Sequence, residues 1–227
     1  MQFTLNRDLL TQSRLILSRF KRLFWVVGGA GSGKTTICRA LSARFAMPVY
    51  DMDAHIYGVY HGRFTPERHP VNTAWATSPN GLAWLLALSW AEFDAFNQAA
   101  LPEYLDLLAA DLAAVDPETS LLVDGGICNP AIIAQVISPQ QIVGLAAPAR
   151  PSAEIWQATG ERQAMKDFIY QLPNPDEAWR KFLEFDGRIT HSILRECQEN
   201  HIPVCARGDT ESVDQFATKV AQTLGIL

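Results

Sequence analysis

The chain has 227 residues, of which 48% are hydrophobic and 19% are charged, and its formal net charge at pH 7 is −5. This length allows one domain with a substantial core, and the acidic balance argues against a general attraction to nucleic acid or to an anionic membrane. The four cysteines are scattered without a CxxC pair, so the sequence predicts neither a zinc site nor a disulfide framework.

The N-terminal segment carries charged residues throughout residues 7–22, so it lacks the uncharged run of a secretory signal. The most apolar run, GLAWLLALSWA (81–91), is shorter than the roughly 20 residues that span a bilayer. We therefore expect a cytoplasmic protein without a membrane partner.

Short apolar runs alternate with helical patterns along the chain. Strands are predicted at LFWVV (23–27), PVYDM (48–52), SLLVDG (120–125), QIVGLAA (141–147) and IPVCA (202–206). Helical spacing is found at 9–22, 33–46, 176–200 and 213–225, and the first of these segments is amphipathic. The alternation predicts an α/β fold, a three-layer doubly wound parallel sheet of five strands with helices on both faces.

The interval between the second and third strands is too long for a simple crossover. It begins with polar, Gly-containing and Pro-containing sequence and continues into an apolar helical stretch at 82–114. We predict that 58–117 forms an inserted, largely helical subdomain within a single domain of residues 1–227.

The segment GGAGSGKT (28–35) matches the pattern GxxxxGK[ST] in full. Glycines are required there because backbone amides must curl around phosphate oxygens in conformations closed to most side chains. Lys34 would reach the β and γ phosphates, and the Thr35 hydroxyl would bind magnesium. A simple glycine-rich turn is the alternative, but a strand before the segment and a helix after it favour nucleotide binding. The predicted nucleotide-binding residues are Gly28, Gly29, Ala30, Gly31, Ser32, Gly33, Lys34, Thr35 and Thr36.

Carboxylates follow two of the predicted strands. Asp124 ends the third strand, where nucleotide-binding proteins with such a loop place a metal-holding acid, although Asp124 could instead begin a turn bent by Gly125 and Gly126. Asp51 and Asp53 end the second strand in PVYDMDAHIYG (48–58). Alternation along an extended chain would point both carboxylates toward one face, and Asp53 would also cap a helix beginning near Ala54.

These motifs resemble the P-loop small-molecule and nucleoside kinases, the group that contains shikimate, gluconate and adenylate kinases. The resemblance implies the strand order 2-3-1-4-5, ATP and Mg²⁺ as cofactors, and transfer of a phosphoryl group to a hydroxyl of a small metabolite. It also implies that Thr35, Asp51 and Asp124 lie near the metal and that Asp53 binds or deprotonates the acceptor hydroxyl. Gly125 and Gly126 would line the acceptor pocket. The same resemblance implies a single kinase-like domain of residues 1–227, in which the inserted subdomain 58–117 binds the acceptor.

Arginines are the remaining candidates for catalysis and substrate binding. In the resembling kinases a lid with arginines follows the fourth strand, and the corresponding segment here is 147–175, with Arg150 and Arg162. Arg162 is the candidate catalytic cation, and a solvated helix face or an ion pair is the alternative. Arg63 and Arg68 would suit a carboxylate or phosphate on the substrate, and an exposed turn-rich loop is the alternative.

The aromatic residues of the predicted insertion have two interpretations. They are Trp75, Trp84, Trp90 and Phe93. Their helical spacing favours packing in the core, and a role in an acceptor pocket is the alternative.

Three functions compete for this set of motifs. The leading prediction is an ATP- and Mg²⁺-dependent kinase for a small-molecule acceptor. The second is a nucleotide-operated regulatory protein that acts on a protein partner. A kinase for RNA or DNA ends is disfavoured by the acidic net charge and by the lack of interleaved basic and aromatic runs. No NKxD segment occurs, which favours ATP over GTP.

Overall fold

A computed structural model of the chain describes residues 3–126, 129–146, 152–157, 160–208 and 210–227. Five strands form one parallel sheet in the order β2-β3-β1-β4-β5. They are β1 (Leu23–Gly28), β2 (Val49–Asp51), β3 (Leu121–Asp124), β4 (Ile142–Ala146) and β5 (Val204–Ala206). The predicted α/β class and strand order are confirmed.

Helices connect the strands and cover both faces of the sheet. Before β3 they are α1 (Arg7–Leu17), α2 (Lys34–Phe45), α3 (Met52–Ile56), α4 (Pro70–Ala76), α5 (Gly81–Ala87) and α6 (Trp90–Leu112). After β3 they are α7 (Pro130–Ile133), α8 (Ser152–Gln157), α9 (Gly160–Ile169), α10 (Pro175–Glu199) and α11 (Val213–Thr223). Across the described ranges, no helix has both the length and the apolar character needed to cross a bilayer.

The central strand β1 is buried along its whole length and supplies both hydrophobic cores. Because side chains alternate along a strand, Trp25 and Val27 enter the core formed with α1, α6 and α10, whereas Phe24 and Val26 enter the core formed with α2 and α11. A sheet sandwiched between two helical layers needs apolar side chains on both faces of its middle strand. The continuous apolar run LFWVV meets this requirement.

The predicted helical stretch at 82–114 is divided into two helices by a capping box. The Ser89 amide donates to the Glu92 carboxylate over 2.9 Å, and the Glu92 amide donates to the Ser89 hydroxyl over 3.3 Å. This reciprocal pairing satisfies amides at the start of α6 and so favours a new helix at Trp90. Helix α6 then packs in the same core as Trp25. The acceptor-binding role of the segment 58–117 stays a prediction.

Two buried carboxylates of α6 hold the segment that leads into α4. Glu103 accepts hydrogen bonds of 2.8 Å from both the backbone amide and the side-chain amide of Asn72. One turn later, Asp106 accepts from Arg68 Nε over 2.7 Å and pairs with His69 Nε2 at 3.0 Å. A buried polar group is tolerated only when it is hydrogen-bonded, so this network fixes the position of α4 against α6.

Helix α10 crosses β4 at a glycine. A methyl group at Gly144 would lie 3.0 Å from the Cys197 sulfur and 3.2 Å from Val204 Cγ2. These distances are shorter than ordinary contacts of a methyl carbon, so a larger residue would push α10 away from the sheet. The glycine therefore sets how closely α10 packs.

The buried network predicts an acid-sensitive loss of stability. Burial alone would raise the pKa of Asp106, but hydrogen bonds from His69 and Arg68 lower it from 3.8 to about 2. Because the pKa of Asp106 is lower in the folded than in the unfolded chain, its carboxylate stabilises the folded state above about pH 4. This stabilisation is lost as the pH falls toward 2 and the carboxylate is protonated. The shift corresponds to about 2 kcal/mol.

We expect Asp106→Asn to lower the free energy of unfolding by about 2 kcal/mol at pH 7 and to weaken its pH dependence between pH 4 and 2. Urea unfolding at several pH values measures both effects. Asp94→Asn, at a half-buried position of the same helix where the carboxylate accepts a hydrogen bond from Gln98, is the control. Equal effects of the two substitutions would contradict the prediction.

Candidate functional site

The glycine-rich loop lies between the end of β1 and the start of α2. Gly31 and Gly33 have positive φ angles of 76° and 87°, which side chains other than glycine rarely adopt. Gly33 is the N-cap of α2 and offers no side-chain cap, so the first amides of α2 are left for another acceptor. The loop thus has the backbone form of an anion cradle.

Two of the loop glycines are also required by close packing. A methyl group at Gly29 would collide with the Thr190 side chain of α10, and one at Gly31 would lie 2.9 Å from Ile155 Cγ2 of α8. The loop is therefore enclosed by two helices from distant parts of the chain. The GxxxxGK[ST] pattern alone could not predict that packing against α8 and α10 also requires glycine at these positions.

Lys34 lies across the glycine-rich loop. Its ammonium donates hydrogen bonds to the carbonyl oxygens of Gly28 and Gly29, over 2.8 and 3.2 Å. The positive charge is thus held beside the loop backbone, where it partly opposes the rise that burial causes in the pKa values of Asp53 and Asp124. The lysine is positioned to attract an anion that enters the cradle.

Asp124 is a buried carboxylate at the end of β3, with 4% of its surface exposed. Burial raises its pKa above the ordinary value, although a hydrogen bond from the Thr35 hydroxyl and the charge of Lys34 oppose the shift. Its Oδ1 atom has no hydrogen-bond partner among the described residues. A buried acceptor without a partner is costly, and a cation beside Thr35 would satisfy it.

Asp51 lies opposite Asp124 in the β2–β3 strand pair and immediately precedes α3. Its Oδ1 atom accepts the backbone amide of Ala54 over 2.9 Å, so Asp51 is the N-cap of the helix. The prediction that Asp53 caps this helix is wrong, because α3 begins at Met52 and Asp53 lies in its first turn. The alternation argument for the two acids fails for the same reason, since Asp53 is not on an extended strand.

Asp53 nevertheless reaches the third strand. Its Oδ1 atom accepts the Gly126 backbone amide over 3.1 Å, and the Gly125 carbonyl accepts the buried Trp25 indole over 3.3 Å. Desolvation by the surrounding protein raises the pKa of Asp53 above its ordinary value, although the hydrogen bond from the Gly126 amide and the charge of Lys34 partly oppose the rise. The side chain is still exposed to the adjoining cavity, so it is available to a ligand.

A cavity of about 770 Å³ adjoins the loop. The predicted nucleotide-binding residues other than Ser32 line it, together with Asp53 and Gly126. Ser32 is buried, and its hydroxyl is unpaired within the described part of the chain. The volume is within the range of about 300–1,000 Å³ typical of small-molecule sites. The structure thus brings the loop, Lys34 and Asp53 to one cavity, with Asp124 behind Thr35.

The segment predicted as a lid contributes to the same cavity. Trp156 of α8 and Arg162 of α9 line it. The Arg162 guanidinium donates to the Ile155 carbonyl over 2.6 Å and lies 5.9 Å from the centre of the Trp156 ring. Arg162 therefore lies at the cavity, as the prediction requires, and its catalytic role stays a prediction. Arg150 lies outside the described residues.

The structure does not bring Arg63 and Arg68 to this cavity. Arg63 forms an ion pair of 2.7 Å with Asp111, and Arg68 is paired with both oxygens of Asp106. Each guanidinium is thus engaged with an acid of α6, which the local sequence around the arginines could not reveal. Their predicted contact with the acceptor finds no support in this arrangement.

Several lining residues were not singled out by the sequence pattern. They lie one or two turns apart on α10 and on α5. On α10 they are Phe182, Phe185, Asp186, Ile189 and Ile193, and on α5 they are Leu82, Leu85 and Leu86. The packing interpretation of the predicted aromatics is confirmed, because Trp75 and Phe93 are buried in the main core and Trp84 and Trp90 pack against it. Trp75 and Phe93 also line the cavity, and a role in acceptor binding stays a prediction. An apolar stripe on a helix looks the same whether it meets the core or a cavity.

Comparisons with known proteins give no match, either to a family model or to a curated protein. The function is therefore inferred from the geometry of the site.

The contact between Asp53 and the Gly125–Gly126 turn predicts a coupling between the two segments. Alanine at Gly225, where φ is 64° and the space around it is open, should cost about 1 kcal/mol from backbone strain. Alanine at Gly125, where φ is 77°, should cost at least about 1 kcal/mol more because its methyl would collide with the Asp53 carboxylate.

Denaturant unfolding of Gly125→Ala, Asp53→Ala and the double variant measures this coupling. The double variant should recover the excess cost. A strictly additive result, or equal losses for Gly125→Ala and Gly225→Ala, would refute the contact.

Proposed function

We propose that the protein transfers the γ-phosphoryl group of ATP to a hydroxyl group of a small molecule, with Mg²⁺ as cofactor. The observation that carries the proposal is the opening of three groups onto one cavity: the glycine-rich loop, the Lys34 side chain and the Asp53 carboxylate. A phosphate site next to a carboxylate is the arrangement that phosphoryl transfer to a hydroxyl requires.

The loop supplies the nucleotide half of the site. Its left-handed glycines and the uncapped start of α2 suit phosphate oxygens, and the sequence in this loop is that of a P-loop. Lys34 would exchange its bonds to loop carbonyls for bonds to phosphate, which bears a full negative charge. The strand order supports the proposal because it gathers the carboxyl ends of β1, β2 and β3 beside this loop.

The residues near Asp124 fit a magnesium ion. Mg²⁺ prefers one or two oxygen ligands from the protein together with waters and substrate phosphates. Thr35 and the unpaired Oδ1 of Asp124 are ligands of this kind, whereas Asp51 already uses one carboxylate oxygen as a helix cap. In the described part of the chain, His, Cys, Asp and Glu do not form a group of three that would hold a metal alone. The ion, when bound, would neutralise charge on the phosphates.

In the transfer step the acceptor hydroxyl oxygen forms a bond to the γ-phosphorus while the bond from that phosphorus to the bridging oxygen breaks. The electron pair of the broken bond remains on the β-phosphate, which leaves as ADP. The hydroxyl proton passes to Asp53, whose carboxylate the Gly126 amide holds toward the cavity. Lys34 balances the negative charge beside the loop.

A direct test incubates the purified protein with MgATP and a metabolite extract and searches by mass spectrometry for a compound that gains one phosphoryl group. We expect a phosphorylated acceptor and an equal amount of ADP. ATP binding without any phosphorylated product over a broad panel would favour a regulatory nucleotide switch instead.

Lys34→Ala should greatly weaken binding of MgATP, because it removes the cation that meets the phosphates. Calorimetric titration with a non-hydrolysable ATP analogue measures this loss. Lys21→Ala, a change at an exposed lysine before β1, is the control and should bind as the unmodified chain does. Unchanged affinity of Lys34→Ala would rule out the loop as the phosphate site.

Asp53→Asn should leave ATP binding nearly unchanged and reduce transfer by about 100-fold or more, since the amide cannot accept the proton. Single-turnover assays with the phosphorylated acceptor as readout separate transfer from nucleotide binding. Asp8→Asn on the exposed side of α1 serves as the control. Normal transfer by Asp53→Asn would remove Asp53 from the mechanism.

A further inference from the structure

We infer that the acceptor is an uncharged alcohol with an apolar, ring-containing body, and that it has no carboxylate or phosphate handle. This inference rests on the proposed function, because it names the class of molecule whose hydroxyl meets Asp53. Two observations support it. The part of the cavity away from the glycine-rich loop is lined by apolar side chains, and the two arginines predicted to bind the acceptor, Arg63 and Arg68, are paired with acids of α6.

Apolar side chains from four helices form the wall beyond the loop. Helix α5 contributes Leu82, Leu85 and Leu86, and helix α10 contributes Phe182, Phe185, Ile189 and Ile193. The cover formed by α8 and α9 contributes Trp156, Met165 and Phe168. Burial of apolar surface in such a wall is favourable, whereas burial of an unpaired charge is strongly unfavourable.

Aromatic rings are paired around this part of the cavity. Trp156 and Phe182 meet edge to face with centroids 4.8 Å apart, and Phe93 and Phe185 are tilted with centroids 4.6 Å apart. These four rings all line the cavity. Aromatic side chains prefer offset or edge-to-face neighbours, so a ligand ring finds matching partners here.

The charged lining residues do not supply an anion site for the acceptor. Lys34 and Arg39 belong to the loop and the helix that follows it, where the nucleotide is proposed to bind. Arg162 is engaged with the Ile155 carbonyl and the Trp156 ring. The remaining charges among the lining residues that the structure describes are the carboxylates of Asp53 and Asp186, which would repel an acidic acceptor.

The arginines that would bind an acidic handle are used elsewhere. Arg63 is paired with Asp111, and Arg68 is paired with Asp106 in the network that holds α4. Release of Arg68 would leave the buried Asp106 carboxylate with His69 as its remaining side-chain partner among the described residues, which costs more than the loss of an exposed ion pair does. Neither guanidinium is free to turn toward an acceptor without breaking a contact that stabilises the fold.

A panel of four hydroxyl compounds tests the inference by binding alone, with a saturating non-hydrolysable ATP analogue and Mg²⁺ present so that the loop and Lys34 are occupied and no acidic compound binds there. 3-Phenylpropan-1-ol is the uncharged aryl alcohol, phenyllactate adds a carboxylate, phenylalaninol adds an ammonium group, and ribose is uncharged but polar. Calorimetric titration should give the lowest Kd for 3-phenylpropan-1-ol, below the Kd of phenyllactate by about tenfold or more. Tighter binding of phenyllactate, phenylalaninol or ribose would overturn the inference.

A pair of neighbouring substitutions on α5 places the ligand in this cavity. Leu86 is half-buried and lines the cavity, whereas Ala87 is exposed on the same helix. Leu86→Arg should raise the Kd for 3-phenylpropan-1-ol by about tenfold and lower the Kd for phenyllactate, because it adds a cation to the apolar wall. Ala87→Arg should change neither value, and equal effects of the two variants would place the ligand elsewhere.

A milder pair covers the case in which Leu86→Arg does not fold. Leu82→Gln, at the half-buried lining position one turn earlier, should weaken 3-phenylpropan-1-ol, with Ala87→Gln as its control. Thermal unfolding establishes that each variant is folded before titration. An unchanged Kd in folded Leu82→Gln would contradict the inferred wall.

Transfer assays with MgATP separate this inference from the proposed function. Binding of 3-phenylpropan-1-ol without transfer to any alcohol of the panel or of the extract would overturn the kinase proposal but leave the ligand class of the cavity standing. Transfer to a carboxylated or phosphorylated acceptor, with no binding of the aryl alcohol, would overturn the acceptor class and leave the kinase proposal intact.

Discussion

Complete burial of β1 is the constraint on which the rest of the structure depends. Its side chains supply two cores at once, so the helices of both layers are placed relative to this strand. The same strand ends in the glycine-rich loop, and its Trp25 indole is bonded to the Gly125 carbonyl at the end of β3. The positions of the glycine-rich loop and of the Gly125–Gly126 turn are therefore fixed by the central strand of the sheet as well as by the loops themselves.

A second level of organisation comes from the acids of α6. Asp106 and Asp111 bind a histidine and two arginines from the segment between β2 and α4, and Glu103 binds backbone amides in the first turn of α4. Met52, Ile56 and Tyr60 of that segment are buried in the main core, and the polar contacts with α6 add to this packing. The arrangement holds α4, whose Trp75 lines the cavity, and it engages two arginines that do not line the cavity.

Much of the fold could be predicted from local sequence. Apolar runs marked every strand to within one or two residues, and the GxxxxGK[ST] pattern marked the loop, although the strand order came only from the resemblance to a kinase group. The partners of Arg63 and Arg68 could not be predicted, because they lie on a helix more than thirty residues away. The spacing of Ser89 and Glu92 fits a capping box and could have predicted the boundary between α5 and α6. The continuous apolar pattern across 82–114 instead favoured one helical stretch. The apolar wall of the cavity escaped detection for a physical reason: its residues obey the same helical period as a packed core.

The close approach of α10 to β4 has a consequence for how this site can vary. Gly144 lies in the sheet and does not line the cavity, yet it determines the depth at which a helix carrying Phe182, Phe185 and Ile189 rests. The same helix places Thr190 against Gly29. A larger side chain at Gly144 would therefore displace α10 and with it one side of the cavity, so the shape of the cavity can change while every residue that lines it stays the same.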